Sequence, residues 1–181
     1  PVTAPALPVP ARPVTRLAWA GLAVAVVYGV LQVAMPLRTH LYGGNVLWHE
    51  QGMRFSWRVM AREKNGSATF VVTSLATGRE WHVPPSDYLT RLQEREMSVQ
   101  PDLILQLARH IARDFEARGL GPVEVRADVR VSLNGRAAEL LGDPDVDLAR
   151  VEDGLGGKPW ILPAPETPPV KLRPSWRAQV H

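Results

Sequence analysis

From Leu17 to Met35 (LAWAGLAVAVVYGVLQVAM) the chain carries no charged residue and only one strongly polar side chain, Gln32. No other stretch restricts the fold as much. A helix needs about 20 apolar residues to cross a hydrocarbon core about 30 Å thick, and inside lipid it must satisfy every backbone N–H and C=O within itself. The run meets that length and shows no polar stripe at helical spacing, so it reads as a transmembrane helix over residues 17–35 and not as a core helix. Trp19 sits near one end and Tyr28 inside, while Arg12 and Arg16 before the run and Arg38 after it supply charged stops. Two arginines against one lean weakly towards an N-terminus inside and a remainder outside. The flank Gln32-Val33-Ala34-Met35-Pro36 is a poor signal-cleavage site, which argues against a removable signal peptide. Because the sequence opens on Pro1, it is expected to be a processed, truncated or partial product.

Residues 1–16 (PVTAPALPVPARPVTR) interleave proline with small apolar residues, the pattern of an extended linker. Residues 36–163 then offer enough chain for one soluble domain with a core. Its elements are read in order. Phe55, Trp57 and Val59 alternate with Ser56, Arg58 and Met60; Asn65-Gly66 follows, then Ala68, Phe70 and Val72 alternate, which predicts a β-hairpin over Arg54–Ser74 turning at Asn65-Gly66. Thr77-Gly78 marks a second turn before a short strand over Arg79–Val83, and Ser86 is expected to cap a short helix reaching Glu94. Pro101-Asp102 opens the clearest soluble helix, with Leu103, Leu107, Ile111 and Phe115 on one face and Gly119 at its stop. Val123 to Leu133 alternates strictly, as a half-buried antiparallel strand does. These elements predict an α+β domain, an antiparallel sheet with helices packed on one face, behind a single transmembrane helix. Beyond Gly154 the chain is irregular, with Trp160 and Ile161 expected to anchor it and residues 164–181 forming a Pro-rich tail.

Composition removes several function classes. The net charge is +3, but acids and bases alternate, as in Glu124-Arg126-Asp128-Arg130, which is a solvated mixed surface and not the one-signed stripe a nucleic acid requires. No cysteine is present, so disulfides, thiol nucleophiles and Cys-ligated zinc are excluded. Asp143-Pro144-Asp145-Val146-Asp147 imitates the start of a calcium loop, yet Leu148 stands where glycine is needed and Gly154 where a bidentate glutamate is needed, so an Asp-stabilised turn is expected and no metal. The five histidines show no metal-ligand spacing, although His49 beside Glu50 is a candidate for acid/base work. Gly154-Leu155-Gly156-Gly157 precedes Lys158 without P-loop spacing, and no serine lies in a G-x-S-x-G elbow.

Gly44-Asn45, Trp48, Glu50, Gly52, Phe55-Ser56-Trp57-Arg58 and Met60, followed by Val129-Arg130-Val131-Ser132-Leu133-Asn134, Asp143-Pro144, Val146-Asp147 and Trp160, form a dense pattern. It resembles the C-terminal, extracytoplasmic part of the vitamin K-dependent gamma-carboxylase family, including its bacterial relatives with the horizontally transferred transmembrane domain. The likeness covers roughly Pro36 to Pro163. It implies a membrane enzyme that oxidises vitamin K hydroquinone with O2, generating a base that removes a γ-proton from a peptide glutamate so that the carbanion captures CO2. In that family the quinone pocket and catalytic lysine belong to a multi-helix membrane portion. None of Lys64, Lys158 and Lys171 lies in or beside residues 17–35, and proton abstraction from an unactivated carbon needs a base shielded from water. The chain therefore reads as the last membrane helix plus the soluble domain. No catalytic residue and no bound cofactor are expected of it; vitamin K hydroquinone, CO2 and O2 belong to the full-length family.

The resemblance implies a substrate-binding role for the segment Trp48 to Met60, and for Trp48, Glu50, Arg54, Trp57 and Arg58 within it. Arginine offers a carboxylate a bidentate fork, and tryptophan an apolar wall. Strand alternation by itself gives a plainer reading, with Trp57 in the core beside Phe55 and Val59, and Arg58 a solvated strand residue. The family's soluble domain also helps hold the substrate's leader peptide. The expected partners are the membrane, a glutamate-containing peptide and the upstream multi-helix portion; the expected place is a bacterial inner membrane with the domain extracytoplasmic. The lack of cysteine departs from animal members and leaves no thiol for a disulfide between soluble and membrane parts. The rival expectation is a stand-alone membrane-anchored binding module without catalysis.

Overall fold

A computed structural model describes residues 15–58 and 62–170. The linker before Thr15, Val59 and Met60 of the expected hairpin, and the tail beyond Val170 lie outside the described residues. Helix α1 spans Arg16–Leu37, capped by the Thr15 hydroxyl, which accepts from the Ala18 N–H at 3.3 Å. Its 22 residues give about 33 Å of rod at about 1.5 Å per residue, the thickness of a hydrocarbon core. All its side chains are exposed on every face until Pro36 meets the body. The helix is therefore a candidate membrane span by length and composition. Its one amide is not left unpaired: Gln32 donates to the Tyr28 hydroxyl one turn earlier, which lowers the cost of holding both groups in an apolar medium.

The soluble body is a four-stranded antiparallel sheet covered on one face by helices. Strands β1 (Lys64–Ser74), β2 (Glu80–Val83), β3 (Val123–Leu133) and β4 (Glu139–Leu140) lie in the order β2-β1-β3-β4. A single helical turn, α2 (Val46–His49), precedes them; α3 (Arg91–Met97) and α4 (Pro101–Ala117) lie between β2 and β3. The alternation read in β3 is the observed burial pattern, with Val123, Val125, Ala127, Val129, Val131 and Leu133 all inward. They meet the apolar stripe of α4, where Ile104, Leu107, Ala108, Ile111 and Phe115 are buried. Trp81 of β2 closes that layer edge-on to Phe115, with ring centroids 5.4 Å apart. The outer face is charged, with Arg126 bridging Glu80 and Glu124 at 3.3 Å each.

The expected hairpin over Arg54–Ser74 is not formed. Asn65-Gly66 lies inside β1, opposite Ser132 and Val131 of β3, and residues 54–57 are turns and bends. Gly66 is there for space: a Cβ at this position would stand 2.8 Å from the Ser98 carbonyl oxygen, whose residue crosses the strand and donates its own hydroxyl to the Gly66 carbonyl at 3.1 Å. Trp57 and Phe55 accordingly leave the core phase and are exposed. The β1–β2 turn is the one at Thr77-Gly78, where Gly78 has φ +69°. The helix expected from Ser86 starts later. Pro85–Asp87 makes a single 3-10 turn, and Thr90 caps α3 in a reciprocal pair with Gln93, a Thr-x-x-Gln box that competes successfully with Ser86.

After β4 the chain forms the expected Asp-stabilised turn: Asp143 Oδ1 accepts from the Asp145 N–H at 2.9 Å, and Asp147 Oδ1 from the N–H groups of Ala149 and Val125 at 3.0 Å. The segment beyond Gly154 is a strap with few regular elements. Ile161 bridges to Gly142, and Trp160 is buried so closely against Gly142 that a Cβ there would come within 2.8 Å of the indole.

Candidate functional site

Three separate segments meet where α1 enters the body: the 3-10 turn Arg38–Leu41 with Tyr42, the loop after α2, and the glycine-rich loop 154–157. Arg38 ties the first two, donating from Nη2 to the Arg54 carbonyl at 2.8 Å and from Nε to the Gly52 carbonyl at 3.4 Å. Gly52, at φ +70°, packs so tightly on this exit that a Cβ would meet the Tyr42 ring at 2.9 Å and the Thr39 backbone at 3.3 Å. The Tyr42 hydroxyl donates to the Leu155 carbonyl at 2.7 Å, and the Gln51 amide to the Gly156 carbonyl at 3.1 Å. Between these segments lies a cleft of about 380 Å³, lined by Arg38, Arg54 and Lys158 and by Glu50, Asp102 and Asp153.

The charges of this cleft pair off unevenly. Lys158 is held by Asp102 and, at 3.5 Å, by Asp153. Glu50 accepts from Arg62 and from Lys64 Nζ at 2.9 Å. Arg38 spends its guanidinium on backbone carbonyls, and Arg54 makes no side-chain ion pair among the described residues. Named charges lining the cleft balance, but Arg54 is the guanidinium there left without an ion-pair or carbonyl partner among the described residues, and such a group suits a carboxylate.

Glu50, at the wall of the cleft, belongs to a buried polar cluster. The Lys64 side chain is 1% exposed, and its ammonium donates to Glu50, to the Trp48 carbonyl at 2.8 Å and to the Val99 carbonyl at 2.8 Å. All three protons are used. Burial lowers the pKa of this lysine, with the Glu50 carboxylate pulling the other way. Glu50 itself adopts a left-handed backbone, φ 58°, directly after α2. His49 is buried beside it; its Nδ1 accepts from the Gln51 N–H at 3.0 Å, and burial holds its pKa below 6.5.

The five residues singled out in the sequence thus divide. Trp48 is buried in the core, its indole N–H donating to the Leu162 carbonyl at 2.9 Å, so it pins the strap. Glu50 belongs to the Lys64 cluster and borders the cleft. Arg54 lines the cleft. Arg58 lines a different recess, with Thr39, His40 and Tyr42, on the other side of the helix exit. Trp57 is exposed between the two arginines. Sequence reasoning missed Lys64, Arg62, Arg38 and Tyr42 as members of the site. Lys64 gave one signal, being one of three lysines in a chain of 21 basic residues. Of the other lysines, Lys158 is occupied by its two aspartates, and Lys171 lies outside the described residues.

The family model described as the vitamin K-dependent gamma-carboxylase lumenal domain matches residues 18–167. The chain belongs to that family. The match begins inside α1 and ends in the strap, so the gamma-carboxylase lumenal domain takes in the candidate span, the cleft and the sheet together. No curated protein and no solved structure gives a match. As a gamma-carboxylase-like lumenal portion carrying an apolar N-terminal helix, the chain is membrane-anchored.

Proposed function

We propose that this lumenal-type domain holds a glutamate-containing peptide at the membrane surface for a gamma-carboxylase-like membrane protein, and that Arg54 receives the glutamate side chain. The observation that carries the reading is Arg54 itself, which lines the cleft at the exit of α1 and has no ion-pair partner among the described residues. Arg38 holds the loop from behind through the Gly52 and Arg54 carbonyls, so the Arg54 backbone is fixed while its side chain is exposed.

The chemistry of vitamin K hydroquinone, CO2 and O2 is assigned to a multi-helix membrane portion outside this sequence. The cleft that Arg54 lines does not suit a quinone. The cleft is lined by charged side chains, and Lys64 beneath it is fully engaged with Glu50 and two carbonyls. No step of carboxylation is routed through them. In this reading the domain faces away from the cytoplasm in a bacterial inner membrane.

The test is a titration of the detergent-solubilised chain with a glutamyl peptide and its glutaminyl isostere. The glutamyl peptide should bind more tightly, and Arg54→Ala should weaken it roughly 10-fold, the loss of one charge-assisted contact of about 1.5 kcal/mol. Equal binding of the two peptides, or an unchanged affinity in Arg54→Ala, overturns the proposal.

A further inference from the structure

The apolar surface of the soluble body is unevenly distributed. Apart from α1, the four most exposed large apolar side chains among the described residues are Leu155 (88%), Leu41 (83%), Phe55 (75%) and Trp57 (74%). They are far apart in sequence, yet all four sit on the three segments that converge at the end of α1. Leu41 follows the helix by four residues, Phe55 and Trp57 lie on the loop bound by Arg38, and the Leu155 carbonyl accepts from Tyr42. Phe55 is held at φ +62°, a left-handed conformation that an aromatic residue adopts only when its surroundings impose it. The next most exposed apolar residue, Leu92 (70%), is on α3 and shares none of these connections.

From these placements we infer that Leu41, Phe55, Trp57 and Leu155 form a second membrane contact, a collar around the exit of α1 that lies in the headgroup region of the bilayer. The length of the span sets the depth: from Leu17 to Leu37 the helix covers about 30 Å at about 1.5 Å per residue, so Arg38 and the segments tied to it begin where the hydrocarbon ends. A tryptophan with exposed rings and arginines around it is the composition of that boundary. Arg38 and Arg58 supply cationic groups, and the acid within the first two segments, Glu50, is already neutralised by Arg62 and Lys64. Asp153, next to the third segment, shares Lys158 with Asp102 and lies away from the arginines of the first two segments in sequence. Anionic phosphates are therefore the matching partner. The collar would fix the tilt of the sheet on the membrane, which a single helix leaves free to swivel. It requires only that α1 lies in lipid and is independent of any role in peptide binding.

Because the chain has no cysteine, single thiols report single positions. Phe55→Cys, Leu155→Cys and, as control, Leu92→Cys are made in the full chain, labelled with an environment-sensitive fluorophore and reconstituted into vesicles of phosphatidylcholine and phosphatidylglycerol. Labels at 55 and 155 should be blue-shifted, shielded from aqueous iodide and quenched severalfold more than the label at 92 by a spin label carried near the lipid headgroup. Equal iodide quenching at all three positions overturns the inference. So does a blue shift without lipid quenching, which would place a protein surface over the collar.

Discussion

At the scale of single residues, Lys64 and Glu50 show why a site can be hard to read in a sequence. Glu50 was legible as part of a family pattern; its partner was not, because Lys64 lies 14 positions away and seemed to open a turn. The two meet because β1 begins at Lys64 directly beneath the end of α2. Glu50 would keep Arg62, but the buried Trp48 and Val99 carbonyls would lose their donor, so Lys64→Met should cost about 2–3 kcal/mol, read as a lowered denaturant midpoint. A change under about 1 kcal/mol would mean that the cluster is solvated and not structural. His49 carries a pH signature in the same neighbourhood. Burial keeps its folded pKa below 6.5, so as pH falls through that value the unfolded chain takes up the proton first and stability declines. His49→Asn, whose carbonyl can replace Nδ1 as acceptor for Gln51, should flatten this slope between about pH 7 and pH 5 in denaturation curves. The same loss in wild type and variant would assign the slope to other groups. One such group is Asp114, whose carboxylate is held at lowered pKa by the Tyr88 hydroxyl and Arg118, and whose loss would come at lower pH.

At the scale of elements, periodicity carried the long segments. Helix α4 and strand β3 follow the ranges their patterns imply, and β3 the whole buried face; on α4, Leu107, Ile111 and Phe115 are buried as read, but Leu103 is only partly so and Leu105 is fully buried. Ile111→Ala, in the centre of that contact, should cost about 2–5 kcal/mol of stability. The loop at 54–58 and the strand after it were misread for one reason: Asn65-Gly66 has the composition of a tight turn, and composition does not distinguish a glycine chosen for positive φ from one chosen for space. Gly66 is absent from the positive-φ positions and lies under Ser98. Gly66→Ala should therefore destabilise the protein even though alanine tolerates strand dihedrals, with the loss appearing in thermal melts. An unaltered melting temperature would show that Ser98 can shift aside. Once the hairpin is lost, Phe55 and Trp57 have no core to enter. Their alternation was real in the sequence but served an exposed loop, and that exposure, invisible to pattern, is what now draws attention to the helix exit.

At the scale of the whole molecule, the parts are arranged around the point where α1 ends. The cleft with Arg54, the Lys64 cluster below it and the apolar collar beside it are held together by bonds from Arg38, Tyr42 and Gln51, all within 14 residues of the helix terminus. The sheet and α4 form the rigid backing to this end, and the strap returns to it through Trp48 and Lys158. The span itself was the most legible element, since length, uniform apolarity and charged flanks need no tertiary context; the convergence of segments 38–42, 52–58 and 154–157 was illegible because it depends on how far-separated loops fold back. The account as a whole rests on α1 residing in lipid. The most direct measurement is retention of the full chain, expressed in cells, in the membrane pellet after an alkaline carbonate wash. The chain should stay in the pellet and be released only by detergent. Recovery of the folded chain in the detergent-free supernatant would contradict it.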